Sequence, residues 1–203
     1  MWAEVEQNTD EWLQMRSGLL TMSNLGLVMA NLGKKFGEPA KKLAVRIAVE
    51  QITGKFIQGG YSNADMDRGH EQEPIAIGLY EQERFIDVDS PGFYSDGSLG
   101  GSPDGLVGDD GLIEVKSSIA HIHYNRIKSG NIEAGYKWQC WGNLMLSERK
   151  WIDFVSYCSE FPEGRQLHIQ RLVADHLPGA VIRGRVKSYL ELVAEIKGTV
   201  ASI

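Results

Sequence analysis

The stretch GSPDGLVGDDGLIEVKSS, residues 101–118, decides how this chain is read. The segments DGLVG and GLIEVK flank GDDG, a turn rich in glycine and acid, and Asp and Gly are residues that tight turns select. Leu112, Glu114 and Lys116 stand two apart along the second segment. On a strand, Glu114 and Lys116 then share one face, and Ile113 and Val115 point the other way, into the core. If the two segments pair as a hairpin, Asp104, in the turn SPDG, returns close to Glu114. Two carboxylates and a lysine converge at one edge of a sheet.

Two carboxylates so near each other repel, and one is expected to take a proton. A divalent cation removes that conflict. Hard oxygen ligands select Mg²⁺ or Mn²⁺, which keeps several waters and takes one or two carboxylates plus phosphate oxygens of a substrate. The Val115 carbonyl can offer a further ligand. Lys116 has no lone pair while charged. Its place is to orient or help deprotonate an attacking water, or to counter phosphate charge. Such a set suits phosphodiester hydrolysis, in which metal lowers the pKa of water and stabilises the attacking and leaving oxygens. The same spacing also describes an ordinary charged strand surface between Asp-Gly turns. In GHEQEPIA, Glu71 and Glu73 stand on an expected helix from which one of them can reach the cluster; a solvated acidic face is the alternative.

The rest of the chain limits the choices. With 203 residues, 42% hydrophobic and 24% charged, it suits one globular domain, taken as 1–203. No apolar run approaches the ~20 residues that cross a bilayer, and the acidic start MWAEVEQNTDEW is not a secretory signal. Cys140 and Cys158 are too few for a disulfide framework and read as reduced thiols of a cytoplasmic protein. The net charge of −6 disfavours a nucleic-acid partner, yet the balance is uneven: KKFGEPAKKLAVR holds five cations against one acid.

Helical segments come first. TDEWLQMR starts at Thr9 as N-cap, and SNLGLVMANLG runs from Ser23 as cap to Gly33 as stop. PAKKLAVRIAVEQITG places Val45, Ala48, Val49 and Ile52 on one buried face. NADMDRGHEQEPIAIGLYEQER is mostly helical, with Gly69 and Pro74 as possible irregularities. From Phe85 short β-type runs alternate with turns. IEAGYKWQCWGNLMLSE reads as a helix, KWIDFVSYCSE and RQLHIQRLVA as adjacent strands, and VIRGRVKSYLELVAEIKG as a closing helix. The order predicts an α/β fold with a central mixed sheet flanked by helices. HIHY offers His121 and His123 on one face of a strand, or in solvent-facing or helix-start roles. Trp138, Trp141 and Trp151 read as core rather than base-stacking platforms. The polar, glycine-rich stretch 54–66 joins two helices and is read as a surface loop or one that grips DNA ends. Lys34, Lys35, Lys41, Lys42 and Arg46 lie along a duplex or form a solvated face.

Five motifs stand in one order: WLQMRSGLLTMS, RGHEQEP, GSPDG, IEVKS and GYKWQ. Together they resemble the lambda-exonuclease type of phage recombination nuclease, an alkaline-exonuclease and viral-recombinase family of the PD-(D/E)xK superfamily. The resemblance spans about Trp12 to Gln139 and implies a restriction-endonuclease-like PD-(D/E)xK core. It further implies that Asp104 and Glu114 bind metal with the Val115 carbonyl, that Glu73 completes the shell, and that Lys116 partners the water nucleophile. Arg16, Ser23 and Ser102 would form a pocket for a terminal 5′-phosphate, with Gln139 near it. The implied activity is a Mg²⁺-dependent 5′-to-3′ exonuclease, with Mn²⁺ as substitute. It would digest linear duplex DNA from its ends and leave 3′ overhangs. A homotrimer, a single-strand annealing partner and a phage or prophage source in a bacterial host are implied with it. An endonuclease on the same scaffold is the alternative, and a DNA-end or protein-binding module with a degenerate site is the rival from another class.

Overall fold

The computed structural model describes residues 1–58 and 64–202, so part of the 54–66 stretch lies outside the described residues. The strands are β1 (Trp2–Ala3), β2 (Leu20–Thr21), β3 (Phe93–Ser95), β4 (Leu99–Gly101), β5 (Gly105–Val107), β6 (Gly111–Ser117), β7 (Trp151–Tyr157) and β8 (Leu167–Val173). The α-helices are α1 (Asp10–Arg16), α2 (Leu25–Met29), α3 (Glu38–Thr53), α4 (Ala64–Arg84), α5 (Ala120–Ser129), α6 (Ala134–Ser147) and α7 (Gly179–Ala201).

The strands form two four-stranded sheets where the sequence suggested one. The larger has the order β5-β6-β7-β8, with β6 and β7 parallel and the outer pairs antiparallel. The hairpin expected across GDDG is present, with Gly105 opposite Ile113 and Val107 opposite Gly111. Gly111 is required there, because a Cβ would lie 2.2 Å from the Trp151 ring. β6 is an interior strand covered on both sides. Ile113 and Val115 pack with Ala76 and Tyr80 of α4, while Leu112 joins the main core with Cys140, Trp141 and Leu144 of α6. A layer of helix on each face explains why β6 reads apolar at nearly every position except the two that carry charge.

The smaller sheet, β1-β3-β4-β2, positions the site. Parallel pairing sets Leu20 opposite Leu99 and Thr21 opposite Gly100. The chain leaves β2 into Ser23 and leaves β4 into Ser102 and Asp104, so this one pairing brings distant segments alongside each other. At Gly100 and Gly101 a Cβ would meet Phe93 at 2.5 Å and Asn143 Oδ1 at 2.6 Å.

Two local expectations change. The buried residues of α3 are Ala40, Leu43, Ala44, Ile47, Ala48 and Glu50, whereas Val45 and Ile52 are exposed. Alanines on the inner face let α7 come close, and Tyr189 Oη of α7 donates to the Ala40 carbonyl at 2.9 Å. Ser23 caps no helix: it lies inside a 3₁₀ turn, Met22–Asn24, and α2 starts after it and ends at Met29 with Ala30 as its C-cap, short of the Gly33 expected as its stop. Of the roles open to HIHY, the helix start is the one found: it forms the first turn of α5. His121 is exposed, while buried His123 meets Ser156 Oγ through Nδ1 at 2.8 Å. Elsewhere the punctuation is as expected. Thr9 Oγ accepts the Trp12 N–H, and α3 ends at Gly54 in the left-handed region with φ +64°. α4 runs through Pro74, whose missing N–H leaves the His70 carbonyl without its helical donor.

Candidate active site

Asp104 stands between the two sheets, at the point where the chain enters β5. Its N–H donates to the Ile113 carbonyl at 3.0 Å, and its Oδ2 accepts the Val115 N–H at 2.6 Å. β5 stops pairing at Ile113, so the Asp104 carboxylate replaces the missing strand beside Val115. Glu114 is fully buried, an interior position rather than an exposed edge. Its Oε1 accepts from Lys116 Nζ at 2.5 Å and from Gln139 Nε2, and its Oε2 accepts from Asn143 Nδ2 at 3.2 Å. Glu73, from α4, lines the same cleft, while Glu71 is exposed.

The electrostatics follow from burial. Desolvation, with Asp104 nearby, pushes the Glu114 carboxyl up to about 8. Desolvation and the Asp104 charge raise Glu73 to about 7. Asp104 is raised by burial, against the pull of Lys116 and the Val115 N–H. Burial works against the charge on Lys116, yet Glu114 and Asp104 together hold its pKa above the ordinary lysine value. Three acids and one ammonium in one dry place leave acid in excess, which a cation relieves.

Among the described residues, no three His, Cys, Asp or Glu side chains gather at the spacing of a complete metal cage. The donors present fit an ion that needs no such cage. Mg²⁺ is held by one or two carboxylates plus water and substrate phosphate. Asp104 and Glu114 could supply the carboxylates. The N–H and C=O of one strand residue face the same edge, so the Val115 carbonyl lies on the Asp104 side.

A cleft of about 560 Å³ joins this cluster to Arg16, Ser23, Ser102 and Gln139. Arg16 Nη2 donates to Ser23 Oγ at 3.3 Å, and the guanidinium lies 4.1 Å from the Trp12 ring. Burial, then the like charge of Arg46, lowers Arg16 to about 10, so it stays charged at neutral pH. Buried Glu50 anchors the region by accepting the Gly18 N–H at 2.9 Å and the Ile57 N–H at 3.0 Å. Ser102 Oγ donates to the Gly92 carbonyl at 2.6 Å and accepts from Gln7 at 2.9 Å, which ties down the loop that carries Asp104. Gln139 reaches Glu114 while also lining a neighbouring groove with Ser23.

The sequence reading missed Gln7, Arg126, Tyr136 and Asn143. Arg126 is buried and donates to Ser118 Oγ, to Ser156 Oγ at 3.0 Å and to Glu133 at 3.0 Å. Ser118 in turn donates to the Lys116 carbonyl at 3.3 Å. Tyr136 lies under Lys116, with Nζ 5.5 Å from its ring centroid. The available signal was helical spacing: Tyr136, Gln139 and Asn143 lie on one face of α6.

Residues 11–150 match the YqaJ-like viral recombinase domain. The chain belongs to that family. A nuclease role in recombination follows from membership. The chain is also similar in structure to an alkaline exonuclease, LHK-Exo, from Laribacter hongkongensis. That structure is 32% identical, covers 96% of this chain and 97% of its own, and has a TM-score of 0.84. LHK-Exo in complex with dAMP is 33% identical, with 94% and 96% covered and the same TM-score. A phage related exonuclease from Haemophilus somnus 129PT shares the fold at 16% identity, with 94% and 98% covered and a TM-score of 0.69. Comparison with curated proteins gave no significant match. Among the described residues, no helix is long and apolar enough to cross a membrane.

Proposed function

We propose that this family member is a Mg²⁺-dependent exonuclease that removes nucleotides from the 5′-ended strand of duplex DNA and leaves a 3′ overhang. The observation that carries the reading is one cleft lined by both the Asp104–Glu114–Lys116 cluster and the Arg16–Ser23 pair. Asp104, Glu114 and the Val115 carbonyl would hold Mg²⁺, or Mn²⁺ in its place, with Glu73 beside them. The ion when bound supplies Lewis acidity and a more acidic water. Lys116, held protonated, orients the attacking water and offsets charge on the scissile phosphate. Water adds to phosphorus, the P–O3′ bond breaks, and the released mononucleotide carries a 5′-phosphate. The shortened strand keeps a fresh 5′-phosphate, the group that the Arg16 guanidinium and Ser23 hydroxyl bind by charge-assisted hydrogen bonds. Ser102 and Gln139 wall that pocket. The dAMP complex of LHK-Exo supports a site able to take a mononucleotide.

A homotrimer, a single-strand annealing partner and action in the cytoplasm of a bacterial host complete the proposal on family resemblance. The test is digestion of linear duplex labelled at either the 5′ or the 3′ end, beside a covalently closed circle, with Mg²⁺ and with chelator. Early release of the 5′ label, an intact circle and no reaction in chelator are expected. Nicking of the circle would establish the endonuclease alternative, and early release of the 3′ label would reverse the polarity.

A further inference from the structure

We propose that Asn143 is a positioning residue for Glu114, an inference that rests on the metal-binding role given to Glu114 above. Asn143 sits one turn beyond Gln139 on α6 and is only 2% exposed. The two amides take opposite oxygens of one carboxylate. Gln139 donates to Oε1 and Asn143 to Oε2 at 3.2 Å, while Lys116 also donates to Oε1. A carboxylate oxygen offers about two lone-pair sites. Oε1 has both engaged, and Oε2 has one left. The free acceptor of Glu114 is therefore on the oxygen that Asn143 touches, and the Asn143 amide sets the direction in which that lone pair points.

Packing alone does not call for asparagine here. Its helix neighbours Cys140 and Leu144 belong to the apolar main core, so the amide's polar contact is with Glu114 rather than with its helix neighbours. The Asn143 Oδ1 is buried and has no hydrogen-bond partner among the described residues. Turning the amide over would set Oδ1 against Glu114 Oε2, acceptor against acceptor, so the carboxylate dictates its orientation. The opposite wall is cleared for it, because a Cβ on Gly101 would come within 2.6 Å of Oδ1. An amide kept in the core with one end unpartnered, and its other end on a buried carboxylate, is a supporting group of the kind that orients metal ligands.

The experiment measures Mn²⁺ affinity by electron paramagnetic resonance for the wild-type chain, Asn143→Leu and Asn143→Ala. Thermal unfolding is followed alongside, as is binding of a 5′-phosphorylated duplex end in chelator. Loss of such a supporting contact weakens metal affinity by about 10- to 100-fold. That loss is expected here with end binding unchanged, together with a fall in kcat at unaltered KM for DNA. A folded variant with wild-type Mn²⁺ affinity overturns the role of Asn143 and leaves the proposed function standing. A wild-type chain that binds no Mn²⁺ sinks the function itself. An arm on the wild-type chain needs no folded variant: the Asn143 side-chain amide resonance should move as Mg²⁺ is added, and an unmoved resonance overturns the inference.

Discussion

Lys116 and Arg16 line the same cleft, and the proposed function gives them different tasks that single substitutions separate. Lys116 Nζ is 2.5 Å from Glu114, whereas Arg16 is bonded to Ser23 at 3.3 Å. Lys116→Ala should cut turnover by about 10²–10³-fold, the scale of losing one preorganised donor at a reacting phosphate, while duplex-end binding in chelator holds. Single-turnover kinetics and a gel-shift titration check both halves, and near-normal turnover removes Lys116 from the mechanism. Arg16→Ala should weaken binding of a 5′-phosphorylated end by about 10- to 100-fold, as loss of a charged hydrogen bond does. Ends bearing a 5′-hydroxyl should be little affected. A phosphate preference that survives places the pocket elsewhere. At this scale the residues of β6 were legible, because alternation along a strand is local. Asn143 and Arg126 were not, because their partners lie 29 and 7 to 30 residues away and are chosen by packing.

Helix packing decides how the pocket is closed. α2 and α6 approach backbone to backbone: a Cβ at Gly26 would lie 2.9 Å from the Gly135 Cα, and one at Gly142 would lie 2.4 Å from Met22 Sδ. Backbone cannot step aside as a flexible side chain can. Gly26→Ala should therefore destabilise the chain by about 1–3 kcal/mol, the usual cost of overpacking, and urea unfolding would show it as a lower midpoint at unchanged slope. An unshifted midpoint would mean that the two helices are not in fixed contact. The same scale explains the misjudged face of α3. Val45 and Ile52 satisfy a 3.6-residue period as well as Leu43 and Ile47 do. Period alone does not say which of two apolar stripes α7 covers; the close approach permitted by Ala40, Ala44 and Ala48 decides it.

Across the whole molecule, the buried acids couple folding to pH and to metal. Glu114 at about 8 and Glu73 at about 7 lie above the unfolded glutamate value of about 4.3. Between those values the folded chain binds more protons than the unfolded one, so the stability owed to these acids falls as pH rises through the window. Lys116, shifted upward, is protonated in both states there and adds no slope. In chelator the unfolding temperature should drop from about pH 5 to about pH 8.5. Mg²⁺ should recover it at the alkaline end, by about 2.7 kcal/mol at a hundred times its Kd. Calorimetry over that range checks it, and a flat profile in chelator would count against acids crowded in one dry site. The net charge of −6, which disfavoured a DNA partner, includes these three carboxylates.

By itself the sequence determined the hairpin and the strand that carries Glu114 and Lys116, the order of the elements, the helix ends at Thr9 and Gly54, and the family resemblance carried by five motifs. Each depends on neighbours within a few residues or on residue types in fixed order. Only the tertiary structure decided that there are two sheets, that Glu114 is buried rather than at an exposed edge, and that Asn143, Gln139 and Lys116 share its two oxygens. Those outcomes depend on which long-range surfaces exclude water together, and no local pattern in the chain records that choice.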